Sequence, residues 1–169
     1  GEHTIFSELL RFAGIGESKI ETELMDLIDQ QTNPTIAPLA GTHEVNIRLT
    51  ANGTSQQACK DLIAPVKASI LNRIGNYYYG SDDILLEQAF MSLVNETFAI
   101  YDGVTDGELY SRMKNFDESQ MLRGMLPHHS QFINEHDTIE SQLSMTAQII
   151  RDFYNAKVGI SILSEVDTV

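Results

Sequence analysis

Tryptophan is absent from this sequence, and cysteine occurs once, at Cys59. A single cysteine excludes any internal disulfide, so packing alone must hold the fold. Basic residues are scarce: 11 Lys and Arg stand against 24 Asp and Glu, a net charge of −13. The imbalance spans both halves, with 6 basic and 11 acidic residues before Leu85 and 5 and 13 from there on. Such a chain repels phosphate backbones, and no cluster of Lys or Arg offsets this, so no nucleic acid is an expected partner. No run approaches the ~18 apolar residues of a membrane helix, so no membrane partner is expected either. The first residues lack a basic segment leading into an apolar core, the mark of a secretory signal. A cytoplasmic location is the expectation, and the N-x-T triplets at Asn52 and Asn95 then carry no glycan. What is present is apolar material, 42% of 169 residues and found in every long segment. That suffices to bury a core in one ordinary domain or two small ones. There is no internal repeat and no low-complexity segment.

Residues 4–13 (TIFSELLRFA) read as a strand, stopped by Gly14 and Gly16. Ile20, Leu24, Leu27 and Ile28 recur along one stripe and predict a helix over 17–31, ended by Asn33-Pro34. TIAPLA (35–40) reads as an edge strand because Pro38 lacks a backbone donor. EVNIRLTA (44–51) alternates, with Val45, Ile47 and Leu49 on one face, as a half-buried strand does. Ser55 can cap a helix over 55–74, with a stripe of Ala58, Leu62, Val66, Ile70 and Ile74 and an expected kink at Pro65. Asn76–Tyr79 then returns as a short strand. The first unit is thus β-α-β-β-α-β, an α+β sandwich of the KH-like kind occupying residues 1–81.

Residues 82–169 form the second unit. Asp82 or Asp83 is expected to cap a helix over 83–95, followed by a strand at 97–101, a turn at 102–107 and a helix over 107–116. Residues 117–135 read as irregular, 137–155 as a helix, and VGISIL (158–163) as a buried strand. The alternation implies a small, partial α/β segment with two or three mainly parallel strands.

Five patterns bear on chemistry. Gly14-x-Gly16 precedes a helix, as phosphate loops do, but the third glycine of a dinucleotide fingerprint is missing and Glu17 would repel an anion. RNA-binding KH domains clamp backbone with G-x-x-G, and no two glycines here are three apart. His128, His129 and His136, with Asp137 and Glu140, lack the spacing of a metal site, so no metal is expected. Cys59 lies near an apolar stripe with no visible activating base and reads as packing. The fifth pattern is Gly103-Val-Thr105-Asp-Gly107, which has the spacing of a nucleophile elbow with threonine in the serine slot. It sits at the carboxyl end of a strand, where α/β sheets place their sites. A threonine nucleophile needs a base; no Lys lies between Lys114 and Lys157, which leaves His128, His129 and His136 as candidate bases whose geometry the sequence does not fix.

RFAGIGES (11–18), NPTIAPLAGTHEVNIRLTA (33–51), APV (64–66) and IGNYYYG (74–80) resemble the middle, KH-like domain of the competence/damage-inducible CinA family. The resemblance implies a preceding molybdopterin-binding-like domain, in some members an ADP-ribose pyrophosphatase, and a following nicotinamide-nucleotide amidase domain. That amidase domain carries Ala-Glu-Ser-Cys-Thr-Gly-Gly between a strand and a helix. Aligned without gaps on Tyr101–Gly107, it keeps Thr105 and Gly107 but places the nucleophilic serine on Gly103, the cysteine on Val104 and a glycine on Asp106. The family's tyrosine and lysine after a Gly-Gly pair are missing near Gly124, and its Thr-Gly-Ile-Ala-Gly-Pro is replaced by Leu163–Asp167. The sequence then stops about half a domain early relative to that family. The resemblance implies a degenerate, shortened amidase-like segment without catalytic residues. Thr105 and Gly107 remain as a residual ligand pocket for a nucleotide, and no cofactor is implied. The expected role is assembly, through a homodimer or docking onto the family's N-terminal nucleotide-binding domain. The alternative is an active nicotinamide-nucleotide amidase or a nucleotide-sensing pocket.

Overall fold

The computed structural model describes residues 3–128, 130–134 and 136–165. Contacts divide the chain into two compact units, Gly1–Ile84 and Leu85–Val169.

In the first unit, β1 (Thr4–Ala13), β2 (Thr35–Ala40), β3 (Glu44–Gly53) and β4 (Tyr78–Ser81) form one antiparallel sheet in the order β2-β3-β1-β4. Helices α1 (Glu17–Asp29) and α2 (Gln56–Ile74) supply the other layer of its core. The alternation in β3 works as its sequence requires: Val45, Ile47, Leu49 and Ala51 join Leu10 and Phe12 of β1 in that core. Ser55 caps α2 by accepting the Ala58 N–H at 3.0 Å, and the helix runs on through Pro65. Its buried face differs from the expected stripe. Cys59, Ile63, Ile70 and Ile74 are buried, whereas Leu62 is 36% exposed. Steps of four residues rotate about 40° per step on a 3.6-residue helix, so 58-62-66-70-74 cannot stay on one face. The expected strand at 76–79 begins as a single 3-10 turn, Gly75–Tyr77, before β4.

Arg73 of α2 ties the helices together through a two-pronged contact with the Asp26 carboxylate of α1, its Nη2 lying 2.8 Å from Oδ2. Hydrogen bonding from Arg73 outweighs desolvation and holds the Asp26 carboxyl down at about 2. Arg73→Ala is therefore expected to return the Asp26 titration to the ordinary aspartate range. Carbon-detected NMR titration reads this directly, and an unmoved midpoint would refute the assignment.

In the second unit, β5 (Phe98–Asp102) is central, with β6 (Leu122–Pro127) and β7 (Val158–Ile162) parallel on either side, order β6-β5-β7. All five residues of β5 are buried. One face carries α3 (Leu86–Leu93) and α4 (Glu108–Lys114), whose Met91 and Met113 pack with Phe98, Ile100 and Leu122. The other carries α5 (Ile139–Phe153), whose Ile150 packs with Ala99 and Tyr101.

Two expectations are corrected here. Residues 122–127, expected to be irregular, are the strand β6; Arg123, Gly124 and Pro127 dilute its sequence signal, and Gly124 is small because the Tyr154 ring fills the space beside it. Neither Asp82 nor Asp83 caps α3. Asp82 has φ 62° and its carboxylate accepts the Leu9 N–H at 3.0 Å, so α3 begins later, after Leu85. Among the described residues no helix is long and apolar enough to cross a membrane.

Candidate functional site

The turn at 102–107 joins the carboxyl end of β5 to α4, and one buried side chain organises it. Asp102, 2% exposed, ends the strand. Its Oδ1 accepts the backbone N–H groups of Val104 at 3.0 Å and Thr105 at 2.7 Å. Its Oδ2 accepts the Gly107 N–H at 3.0 Å and the Thr105 hydroxyl. The Thr105 Oγ1 in turn accepts the Leu109 N–H at 3.1 Å, and the Thr105 carbonyl accepts that of Glu108 at 3.2 Å. These last two bonds satisfy donors of the first turn of α4 that no helical carbonyl can reach. Gly107, at φ 86°, takes the left-handed step that starts the helix.

Burial alone would raise the Asp102 carboxyl. The Thr105 hydroxyl and the amides of Thr105, Val104 and Gly107 outweigh it, and the group sits below its ordinary value. Asp102 is therefore a charged anchor whose acceptor sites are spent on its own turn.

Gly103 lies against the end of β7. Its N–H donates to the Ile162 carbonyl at 2.8 Å. A Cβ there would sit 2.8 Å from Leu163 Cδ2 and 2.9 Å from the Ile162 oxygen. Beside it, the buried Tyr101 hydroxyl meets His128 Nδ1 at 3.0 Å, and the His128 N–H donates to the Asp102 carbonyl at 3.0 Å.

Thr105 and Gly107 are thus brought together on Asp102, and Gly103 is placed beside them. His129 lies outside the described residues. His136 donates its N–H to Asn134 Oδ1 at 3.1 Å, and among the described residues no three His, Cys, Asp or Glu side chains are grouped to hold a metal. Cys59 is buried with its thiol directed at the Thr4 carbonyl, 3.3 Å away. Gly16 stands at the N-cap of α1 with Glu17 in the first turn, the charge arrangement expected from the sequence. Asp102 and Tyr101 escaped the sequence reading. The available signal was an Asp closing an apolar strand with Thr at +3 and Gly at +5, the pattern of a side chain that caps its own turn.

The comparisons with known proteins bear on both units. Residues 7–80 match the family described as damage-inducible protein CinA KH domain. A competence-damage inducible protein of Geobacillus sp. (strain WCH70) is 43% identical over 129 residues, covering 73% of this chain and 31% of the relative. One from Bacillus mycoides (strain KBAB4) is 45% identical over 124 residues, 71% of this chain and 30% of its own length. One from Bacillus cereus (strain AH187) is 34% identical over 174 residues, 93% of this chain and 42% of the relative, so the likeness runs through the second unit. The chain spans between 28% and 42% of the length of the curated relatives it matches. On a KH domain matched over residues 7–80 and relatedness carried into the second unit, the chain belongs to the competence/damage-inducible CinA family.

Proposed function

We propose that this stretch of a CinA-family protein is non-catalytic and serves assembly, by pairing with a second copy or by docking onto an N-terminal nucleotide-processing domain of the longer family architecture. One observation carries the non-catalytic part: the Asp102 carboxylate occupies the N–H groups of Val104, Thr105 and Gly107 and the Thr105 hydroxyl. An amidase turn needs a free nucleophile, and an anionic nucleotide needs free donors at the helix start. Here the donors already hold a charge, and the Thr105 hydroxyl donates to Asp102 while accepting from Leu109. The Gly103 position offers no side chain to attack with.

Incubation with nicotinamide mononucleotide is expected to release no ammonia above a Thr105→Ala control. Sustained release by the wild type that Thr105→Ala abolishes would overturn the reading. Restoring the family's serine by Gly103→Ser is also expected to restore nothing. The new Cβ meets the Ile162 carbonyl and Leu163, an overpacking that costs about 1–3 kcal/mol. Urea denaturation measures that loss, and the ammonia assay is run on the folded fraction.

A further inference from the structure

The Asn52-Gly53-Thr54 triplet lies where β3 ends. Among the asparagines of this sequence only Asn52 precedes a glycine. A glycine has no side chain to shield its own nitrogen, so that nitrogen can approach the side chain of the residue before it. Asn52 is exposed, and its side-chain amide makes no hydrogen bond among the described residues. The fold also keeps position 53 small. A Cβ there would lie 3.2 Å from Cys59 Sγ and 3.4 Å from Ala58 Cβ, at the packed start of α2.

Bonds on both sides hold this pair extended. The backbone of β2 stops pairing at Thr35, opposite Thr50, and the next residue back, Pro34, has no N–H to offer. The Asn33 side chain takes over opposite Asn52. Its Nδ2 donates to the Asn52 carbonyl at 2.7 Å, and its Oδ1 accepts the Asn52 N–H at 3.0 Å. On the other side, Leu9 turns its N–H and C=O towards Asp82. The alternate residues of β1 therefore address β3, and Gly53 pairs with Thr4 through the ladder, its N–H on the Thr4 carbonyl. The peptide group between Asn52 and Gly53 is thus clamped at its C=O by Asn33 and at its N–H by Thr4.

We propose that Asn52 is a site of spontaneous deamidation and that the Asn33 side chain is the restraint that keeps it unreacted in the folded chain. The reaction needs the 52–53 peptide group to rotate out of the strand, and that is the group held from both sides. Once it turns, the deprotonated Gly53 nitrogen attacks Asn52 Cγ. The N–Cγ bond forms, the Cγ–Nδ2 bond breaks, and Nδ2 leaves as ammonia with the proton that Gly53 gave up. Water then opens the cyclic imide. Cleavage of the new N–Cγ bond leaves aspartate. Cleavage at the backbone carbonyl leaves isoaspartate, whose main chain runs through the former side chain and is one carbon longer. That carbon enters just ahead of Ser55, which caps α2 through the Ala58 N–H at 3.0 Å, and it removes the carbonyl position that Asn33 holds. Modification therefore loosens the junction of β3 with both β2 and α2.

Trypsin cuts after Arg48 and Lys60, and the peptide 49–60 contains Asn52 as its one asparagine. Mass spectrometry of that peptide reads the conversion of amide to acid during incubation at mildly alkaline pH. The folded wild type is expected to react at least about tenfold more slowly than the same chain unfolded in urea, because the clamped group must first open. Asn33→Ala, shown to be folded by circular dichroism, should react about tenfold faster than the wild type, since two hydrogen bonds no longer oppose the rotation. Amide exchange at Ile47, in the middle of β3, should stay as slow as in the wild type, which separates local release from global unfolding. If Asn33→Ala does not fold, Asn33→Asp replaces it. It keeps the acceptor for the Asn52 N–H but not the donor to its carbonyl, and should still react faster than the wild type. A folded wild type that reacts as fast as the unfolded chain, or a folded Asn33 variant no faster than the wild type, would overturn the proposal. The reaction releases at most one ammonia per chain and needs no substrate, so it is distinct from sustained release in the nicotinamide mononucleotide assay.

Discussion

Asp102→Ala is expected to lower the stability of the second unit by about 3 kcal/mol, because it leaves several buried donors with no acceptor. The groups stranded are the amides of Val104, Thr105 and Gly107 and the Thr105 hydroxyl. Asp102→Asn keeps the volume but turns an NH2 towards the donors that Oδ2 now serves, and about 2 kcal/mol should still be lost. The charge gives the effect a pH signature. The folded-state carboxyl is held below its ordinary value, so its contribution is complete above the unfolded value of about 4. It is lost as the pH falls through the lower, folded value. Urea unfolding at neutral and acid pH, followed by the NMR ring resonances of Tyr101, Tyr110 and Tyr154, which lie in that unit, measures this. The wild type should weaken on acidification by an increment that Asp102→Ala lacks. An alanine variant as stable as the wild type at neutral pH would remove Asp102 from its place at the centre of the turn.

Legibility in the sequence followed the strength of the periodic signal. β3 was readable because Val45, Ile47 and Leu49 alternate against polar neighbours on a sheet with one covered face. α1 was readable from Ile20 and Leu24, which are fully buried. β6 was not, because its two deeply buried positions are Leu122 and Gly124, and a glycine carries no hydrophobic signal. The stripe 58-62-66-70-74 steps by four residues where the helix turns in 3.6, so it does not mark the buried face of α2. At the site, Thr105 and Gly107 were found but their organiser was not. An aspartate after a strand reads as turn chemistry, and whether it serves solvent, a substrate or its own backbone depends on where the following amides point. The collision at Gly103 was equally hidden, since it comes from Ile162 and Leu163, far along the chain.

Gly159→Ala should disrupt the second unit more than any of its other glycine substitutions. A Cβ there would lie 1.9 Å from the Ala147 carbonyl oxygen and 2.8 Å from its carbon, with Arg151 Cβ at 2.9 Å. These are largely backbone atoms of α5, which no rotamer change can move, so the helix itself must withdraw from β7. The expected cost is about 3 kcal/mol or more, at the upper end of what overpacking exacts. For a unit of this size that corresponds to a fall in melting temperature on the order of 12–24 °C. Gly124→Ala meets the Tyr154 ring at 2.2 Å, a side chain that can rotate away at the expense of its hydroxyl bond to the Met125 carbonyl, and should be milder. Gly16→Ala, in the first unit, has nothing within 4 Å of the added Cβ and loses only the modest preference for glycine at the N-cap of α1. Calorimetry should rank the three in that order, and a Gly159→Ala protein that melts like the wild type would mean α5 does not press on β7. With α5 seated against Gly159 and Thr146 bonded to Ser161, one face of β7 is covered and its inner edge is spent on β5.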